Sequence, residues 1–139
     1  MARFKFIKYR TSGVEIPRVI KDITMKNGVS IDEGEMVEIE SGEADYGASG
    51  STAIIGVAAE SKDNAADGEV IDVIDGMDAI FEVDDANARV VGAALDINST
   101  YNGVTTNSNS DVVVTDCSTA TEPTKVMLLA KACILSVAT

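Results

Sequence analysis

The sequence contains no histidine and no tryptophan, and only two cysteines. Without histidine the usual proton-transfer side chain near neutral pH and the commonest metal ligand are both missing. Serine–histidine and cysteine–histidine hydrolases are thereby excluded. Cys117 and Cys133 alone cannot supply a four-ligand thiolate zinc site. The most apolar stretch, Val126 to Ala138, spans 13 residues and contains Lys131, short of the roughly 20 needed to cross a bilayer as a helix. It reads as a buried terminal strand with Cys133 in the core. The start of the chain alternates basic and apolar residues and lacks the apolar region of a signal peptide. A cytosolic site of synthesis is expected, with both cysteines reduced.

What the chain does have is enough apolar residue to fold. With 139 residues and 45% apolar content, one domain, or one domain plus an arm, can bury a stable core unaided. Charge divides it unevenly. Residues 1–26 carry a net charge of +5 and residues 27–139 a net charge of −17. Phosphate binding draws on clustered Lys and Arg, so the acidic part repels nucleic acid and anionic membrane. The expected organisation is a basic N-terminal arm with a first strand over 1–26, and an acidic β-rich body over 27–139. Acidic outer faces keep a sheet protein soluble and discourage edge pairing, so most of that charge requires no partner.

Short strands and turns dominate the pattern. In Glu35 to Glu40, Val37 and Ile39 share one face while Glu38 and Glu40 share the other, between Gly34 and Ser41-Gly42. Ala53 to Ala59 is rich in branched residues around Gly56, which predicts a strand buried on both faces with a bulge or close backbone approach at that glycine. Val70 to Ile74 and Ala79 to Val83 flank Asp75-Gly-Met-Asp78, the signature of a hairpin. Asp84 to Arg89 reads as a short helix or polar loop, and Ala94 to Ile97 as a strand. Asn102-Gly103 is a turn dipeptide, Thr105 to Ser110 a polar loop, and Asp111 to Asp116 a β-branched strand. Turns recurring every dozen residues or so argue for an all-β fold, a small β-barrel or β-sandwich with an extended N-terminal arm.

The arm, Arg3-Phe-Lys-Phe-Ile-Lys-Tyr-Arg10, places Phe4 and Phe6 on one face of an extended chain and Arg3 and Lys5 on the other. Large apolar anchors among positive charges suit an interface. An ordinary first strand packing both Phe residues into the protein's own core gives the same pattern. Nucleic-acid stacking on these aromatics is opposed by the charge of the rest of the chain.

The candidate chemical motifs all fall short. Gly47-Ala-Ser-Gly-Ser51 departs from a nucleophile elbow at its fifth position and has no histidine to serve it. Asp45-Tyr-Gly47 departs from the aspartic-protease motif, and Asp72, Asp75, Asp78 and Glu82 miss the calcium-loop spacing. Lys131 in its apolar run is better read as reaching solvent than as a nucleophile. The expectation is a non-enzymatic chain without metal or cofactor, and without nucleic acid or membrane as partner.

The order of Gly28-Val-Ser-Ile-Asp-Glu-Gly-Glu-Met-Val-Glu-Ile39, Ile54-Ile-Gly-Val-Ala-Ala-Glu60, Ala65-Ala-Asp-Gly-Glu-Val-Ile-Asp-Val73, Ala79-Ile-Phe-Glu-Val83 and Gly92-Ala-Ala-Leu-Asp-Ile97 resembles the small β-rich decoration proteins of tailed-phage heads, also called cement or head-stabilising proteins. The resemblance covers roughly residues 28–97 and leaves the arm unmatched. It implies a virion protein on the outer capsid surface, commonly a homotrimer, clamping neighbouring major capsid protein subunits. On that reading Phe4, Phe6, Ile7 and Tyr9 would fill pockets on a neighbour, with Arg3, Lys5, Lys8 and Arg10 making the charged contacts. A tail or fibre component with carbohydrate-binding loops around Tyr101 to Asp111 is the alternative.

Overall fold

A computed structural model of the chain describes residues 3–83, 93–105, 111–116 and 124–128. β-Branched and charged residues in alternation favour extended chain over helix, and no helix occurs among the described residues. The strands are β1 (Lys5–Tyr9), β2 (Val19–Thr24), β3 (Met36–Glu40), β4 (Glu43–Tyr46), β5 (Ile54–Ala58), β6 (Val70–Asp75), β7 (Ala79–Val83), β8 (Ala94–Ile97), β9 (Val104–Thr105), β10 (Val112–Asp116) and β11 (Thr124–Leu128). They form a six-stranded sheet in the order β1-β7-β11-β10-β8-β9 and a five-stranded sheet in the order β2-β6-β5-β3-β4. Every ladder is antiparallel. The protein is all-β, and its sheets stack as in a sandwich.

Two apolar clusters hold it. Between the sheets, Met36, Ile54 and Val57 of the five-stranded sheet meet Phe81, Val83, Leu95, Ile97, Val112 and Val126 of the six-stranded one. On the opposite face of the five-stranded sheet, Val37, Ile55, Ala58, Ile71 and Val73 pack with Met25, Val29, Ile31 and Ala65 from the connecting loops. Each large side chain fully buried in this way contributes about 1.5–3 kcal/mol of transfer free energy. The five-stranded sheet is thus covered on both sides, and every residue of β5 is buried. Its edges also approach one another, since Lys26 N, just after β2, donates to Ala44 O in β4 at 3.0 Å.

A bulge explains how β5 serves both clusters. Val37 pairs with Gly56 but Glu38 with Ile54, so Ile55 is the extra residue. It shifts the period of two, and Ile54 and Val57, three apart, both face the six-stranded sheet. The close approach expected at Gly56 is present, since a Cβ there would collide with the backbone of Ile74 and Gly76. The β3–β4 hairpin closes through Ser41 and Gly42, with φ of 51° and 81°, the paired positive values of a type I′ turn.

The hairpin expected over 70–83 does not form. β6 pairs with β2 and β5, whereas β7 pairs with β1 and β11 in the other sheet. The three residues between them carry the chain from one sheet to the other as an arch. Gly76 N donates to Ile55 O at 2.9 Å, and Asp78 takes a φ of 63° to complete the turn. Local alternation cannot separate an arch from a hairpin, because both need two apolar strands and a tight turn.

Nor is the N-terminal segment an arm. β1 runs along β7 as the edge of the six-stranded sheet, and β2 is an edge of the five-stranded sheet. Residues 3–26 therefore belong to the same packed body as the acidic strands. Strands at 36–40, 54–58, 94–97 and 112–116 lie where the alternation places them. The reading of 84–89 as helix or loop, both cysteines, Lys131 and the polar loop beyond Thr105 lie outside the described residues, as does the terminal strand beyond Leu128.

Candidate interaction surface

The residues expected to grip a neighbour divide by burial. Phe4 and Tyr9 are 2% and 1% exposed, and Phe6 is half-buried against the same inter-sheet cluster. Phe4 and Phe6 each meet Phe81 edge-on, with ring centroids 6.4 and 6.3 Å apart, and Phe6 lies 4.8 Å from the Tyr9 ring. Phe4 and Tyr9 are core residues and cannot fill pockets on another chain. A register shift between Phe6 and Lys8 makes this possible. The extra residue, Ile7, turns Tyr9 to the face already used by Phe4 and Phe6. Ile7 itself is half-buried, while Arg3, Lys5, Lys8 and Arg10 remain exposed. Arg3 spends its charge on Glu33, 3.5 Å away.

The outer edge of β1 offers little to a strand from another chain. Phe4 N donates to Gly34 O and Tyr9 N to Val14 O, each at 2.9 Å. Capped at both ends, bulged between and flanked by lysines, this edge is closed to strand addition.

Tyr9 instead organises the connector that leads from β1 to β2. Its hydroxyl donates to Asp75 O at 3.1 Å and accepts from Arg18 N at 2.8 Å. The Arg18 guanidinium lies over the Tyr9 ring, 3.8 Å from its centroid, and its Nε is 3.3 Å from Asp75 Oδ2. Asp75 N returns a bond to Arg18 O at 2.8 Å. Asp78 accepts from Arg10 N and Thr11 N, both at 2.7 Å. The connector is therefore braced against the β6–β7 arch at both ends.

On this braced connector and the start of β2 stand Val14, Ile16 and Val19, which are 47%, 77% and 41% exposed. They are the large apolar side chains that the described residues leave exposed. Singly they would mean nothing. Together they stand on a segment that also carries exposed Arg10, Arg18 and Lys21, with Arg18 paired to Asp75 and Lys21 to Asp72, and with Glu15 and Asp22 among them. The sequence holds a signal in Val14-Glu-Ile16-Pro17, where two apolar residues precede a proline between strands, but the larger Phe4 and Phe6 nearby outweigh it.

A second feature is a groove of about 590 Å³ lined by the basic Arg3 and Lys5, by the acidic Asp32, Glu33 and Glu35, and by Ser61 and Asn102. Burial pushes the Glu35 carboxyl above its usual range, opposed by a hydrogen bond from Asp32 N at 2.8 Å. The acidic residues weighed as a calcium loop are engaged separately. Asp72 accepts from Asp22 N and pairs with Lys21, Asp75 pairs with Arg18, and Asp78 holds Thr11. Gly47 to Ser51 is a loop whose Gly50 N donates to Asp111. Of the loop region weighed for sugar binding, Tyr101 stacks on Tyr46 at 4.6 Å and 14°, and Asp111 is buried.

No family model matches the chain, and no curated protein matches it either.

Proposed function

We propose that this chain is a non-enzymatic virion protein that decorates the outside of a tailed-phage head, binding major capsid protein subunits through the β1–β2 connector. The observation that carries the reading is the exposure of Val14, Ile16 and Val19 on and beside a connector pinned at both ends. A loop braced by this many hydrogen bonds loses little conformational entropy on docking, so its apolar contacts convert efficiently into affinity. Exposed Arg10, Arg18 and Lys21 on the same segment would add a salt-dependent attraction to an acidic partner surface. The sheet edges are bulged, short or capped, which favours docking by side chains over strand addition. The resemblance over residues 28–97 supplies the capsid as partner and the trimer as its assembly. Binding only the assembled lattice stabilises that lattice by linkage, and repetition over the shell adds avidity.

The test has two stages. Gradient-purified particles should contain this chain in a simple ratio to the major capsid protein, and trace amounts would end the decoration reading. Ile16→Ser combined with Val14→Ser should then leave the thermal transition in place while weakening attachment by about tenfold or more, the scale of a hot-spot anchor. Attachment unchanged at low and high salt would place the contact elsewhere.

A further inference from the structure

The chain has three tyrosines, and the fold places them in two environments. Tyr9 is 1% exposed, and its hydroxyl is engaged twice, donating to Asp75 O and accepting from Arg18 N. Tyr46 and Tyr101 are half-buried, which leaves part of each open to small solutes. They come from different sheets, Tyr46 from β4 of the five-stranded sheet and Tyr101 from the turn between β8 and β9 of the six-stranded one. Their rings stack with centroids 4.6 Å apart and planes 14° from parallel. Rings so nearly parallel bring their centres that close only when carbons of one lie in van der Waals contact with carbons of the other.

The pair is also held in place. Met36 N donates to Tyr101 O at 2.8 Å, and Tyr101 N donates to Asn98 O at 3.1 Å. Asn98 Oδ1 accepts from Thr100 N and Asn102 N, the residues on either side of Tyr101, both at 3.2 Å. These bonds keep Tyr101 at a φ of 65°, a conformation that a bulky residue retains only where its surroundings enforce it. Tyr46 sits in the β3–β4 ladder opposite Val37, and its hydroxyl accepts from Ser30 N at 3.3 Å. Two phenols fixed against each other react without first having to meet.

We infer that Tyr46 and Tyr101 form a site of oxidative cross-linking, at which dityrosine joins the two sheets covalently. The inference is independent of what the β1–β2 connector binds. The co-reactant is a one-electron oxidant, consumed twice for each link. Each phenol gives one electron to the oxidant and its hydroxyl proton to water, leaving a phenoxyl radical whose unpaired electron is shared with the Cε carbons beside the oxygen. One Cε from each ring then pairs its electron with the other in a new C–C bond. The hydrogen on each bonded carbon leaves as a proton while the phenol oxygen takes one up, which restores both aromatic rings. In all, two electrons and two protons are lost, and the chain is lighter by two hydrogens. Tyr9, enclosed and bonded at its hydroxyl, stays out of the reaction.

The experiment exposes the full chain, dilute and in neutral buffer, to light-activated tris(bipyridine)ruthenium with persulfate, a small one-electron oxidant. The expected product runs as a monomer on a denaturing gel, fluoresces as dityrosine, has lost two hydrogens by intact mass, and yields on digestion a peptide pair joined through Tyr46 and Tyr101. Tyr46→Phe, which keeps the stack, should abolish that link, and Tyr9→Phe should leave its yield unchanged. In concentrated urea the yield should fall. The isolated cross-linked monomer should melt about 10 °C higher than the untreated chain, since the link closes a long loop between the sheets. Absence of the link, links through Tyr9 or between separate chains in its place, or a yield no higher in native buffer than in urea overturns the inference. So does a link that survives Tyr46→Phe or one that leaves the melting transition where it was.

Discussion

Asp111 provides the sharpest test of how the sheets are tied. Its carboxylate is 1% exposed, a location that costs several kcal/mol unless the charge is met by donors. Two backbone donors meet it: Gly50 N reaches Oδ1 and Ile97 N reaches Oδ2, each at 2.9 Å. Gly50 belongs to the loop before β5 and Ile97 to β8, so one side chain joins the two sheets at their end. Hydrogen bonds to a charged acceptor contribute about 1.5–3 kcal/mol each. Asp111→Ala leaves both N–H groups without an acceptor, and the expected loss is about 3–5 kcal/mol. Against a total stability of about 5–15 kcal/mol, that is a large fraction, lowering the melting temperature by roughly 10–17 °C. Asp111→Asn keeps one acceptor but turns an NH2 toward the other donor, so it should fall between wild type and Asp111→Ala. Urea unfolding followed by far-ultraviolet circular dichroism measures the series, at about 0.15 M salt to screen the gain from removing one acid in a chain of net charge −12. A loss below about 1 kcal/mol for Asp111→Ala with an unchanged m-value would refute the reasoning.

Tyr9→Phe removes the hydroxyl that bridges Arg18 N and Asp75 O while keeping the ring under the guanidinium. A loss of about 1–2 kcal/mol in the same unfolding assay is expected, with faster amide exchange at Arg18 showing that the connector has been released. The Glu38 carboxyl is pushed above its usual value of 4.5, chiefly by burial and against a bond from Ala48 N. A raised folded-state value means that the native chain holds this proton more tightly than the unfolded chain. Its stabilising effect is complete below pH 4.5 and is lost as pH rises through the folded value. Glu38→Gln should therefore melt higher than wild type near neutral pH, with the advantage shrinking toward about pH 4; an advantage constant across that range would contradict the assignment.

The amino-acid pattern is most legible where one strand serves one face. Val37 and Ile39 fall together in the cluster on the far side of the five-stranded sheet, as their spacing requires. The unbroken apolar run at 54–58 correctly signals burial on both faces, and Gly56 signals its own crowding. Legibility fails wherever the answer depends on a distant partner. Phe4 and Phe6 present the same alternation whether they face their own core or another chain, and only pairing with β7 decides it. The bulge at Ile7 leaves no local mark, so the alternation alone cannot assign Tyr9 to the core. The arch between β6 and β7 reads as a hairpin because sheet membership is settled by β1, β2, β5 and β11, most of them remote in the sequence. The candidate surface is hidden for a related reason. Val14 and Ile16 are modest side chains, and their significance lies in being held outward by Tyr9, Arg18 and Asp78.

The strand order also dictates a schedule of synthesis. The five-stranded sheet draws on β2 to β6, a continuous span from residue 19 to residue 75. It can assemble while the rest of the chain is still in the ribosome. The six-stranded sheet is the reverse. β1 is made first, yet it waits for β7, and β7 has β11 as its other neighbour. Between the emergence of residue 83 and that of residue 128, Phe81 and Val83 sit on a strand with one edge bare. A nascent chain stalled in that interval presents an unpaired apolar strand to its neighbours on a polysome, and chains truncated before β11 should be recovered as aggregate while those ending after it are recovered folded.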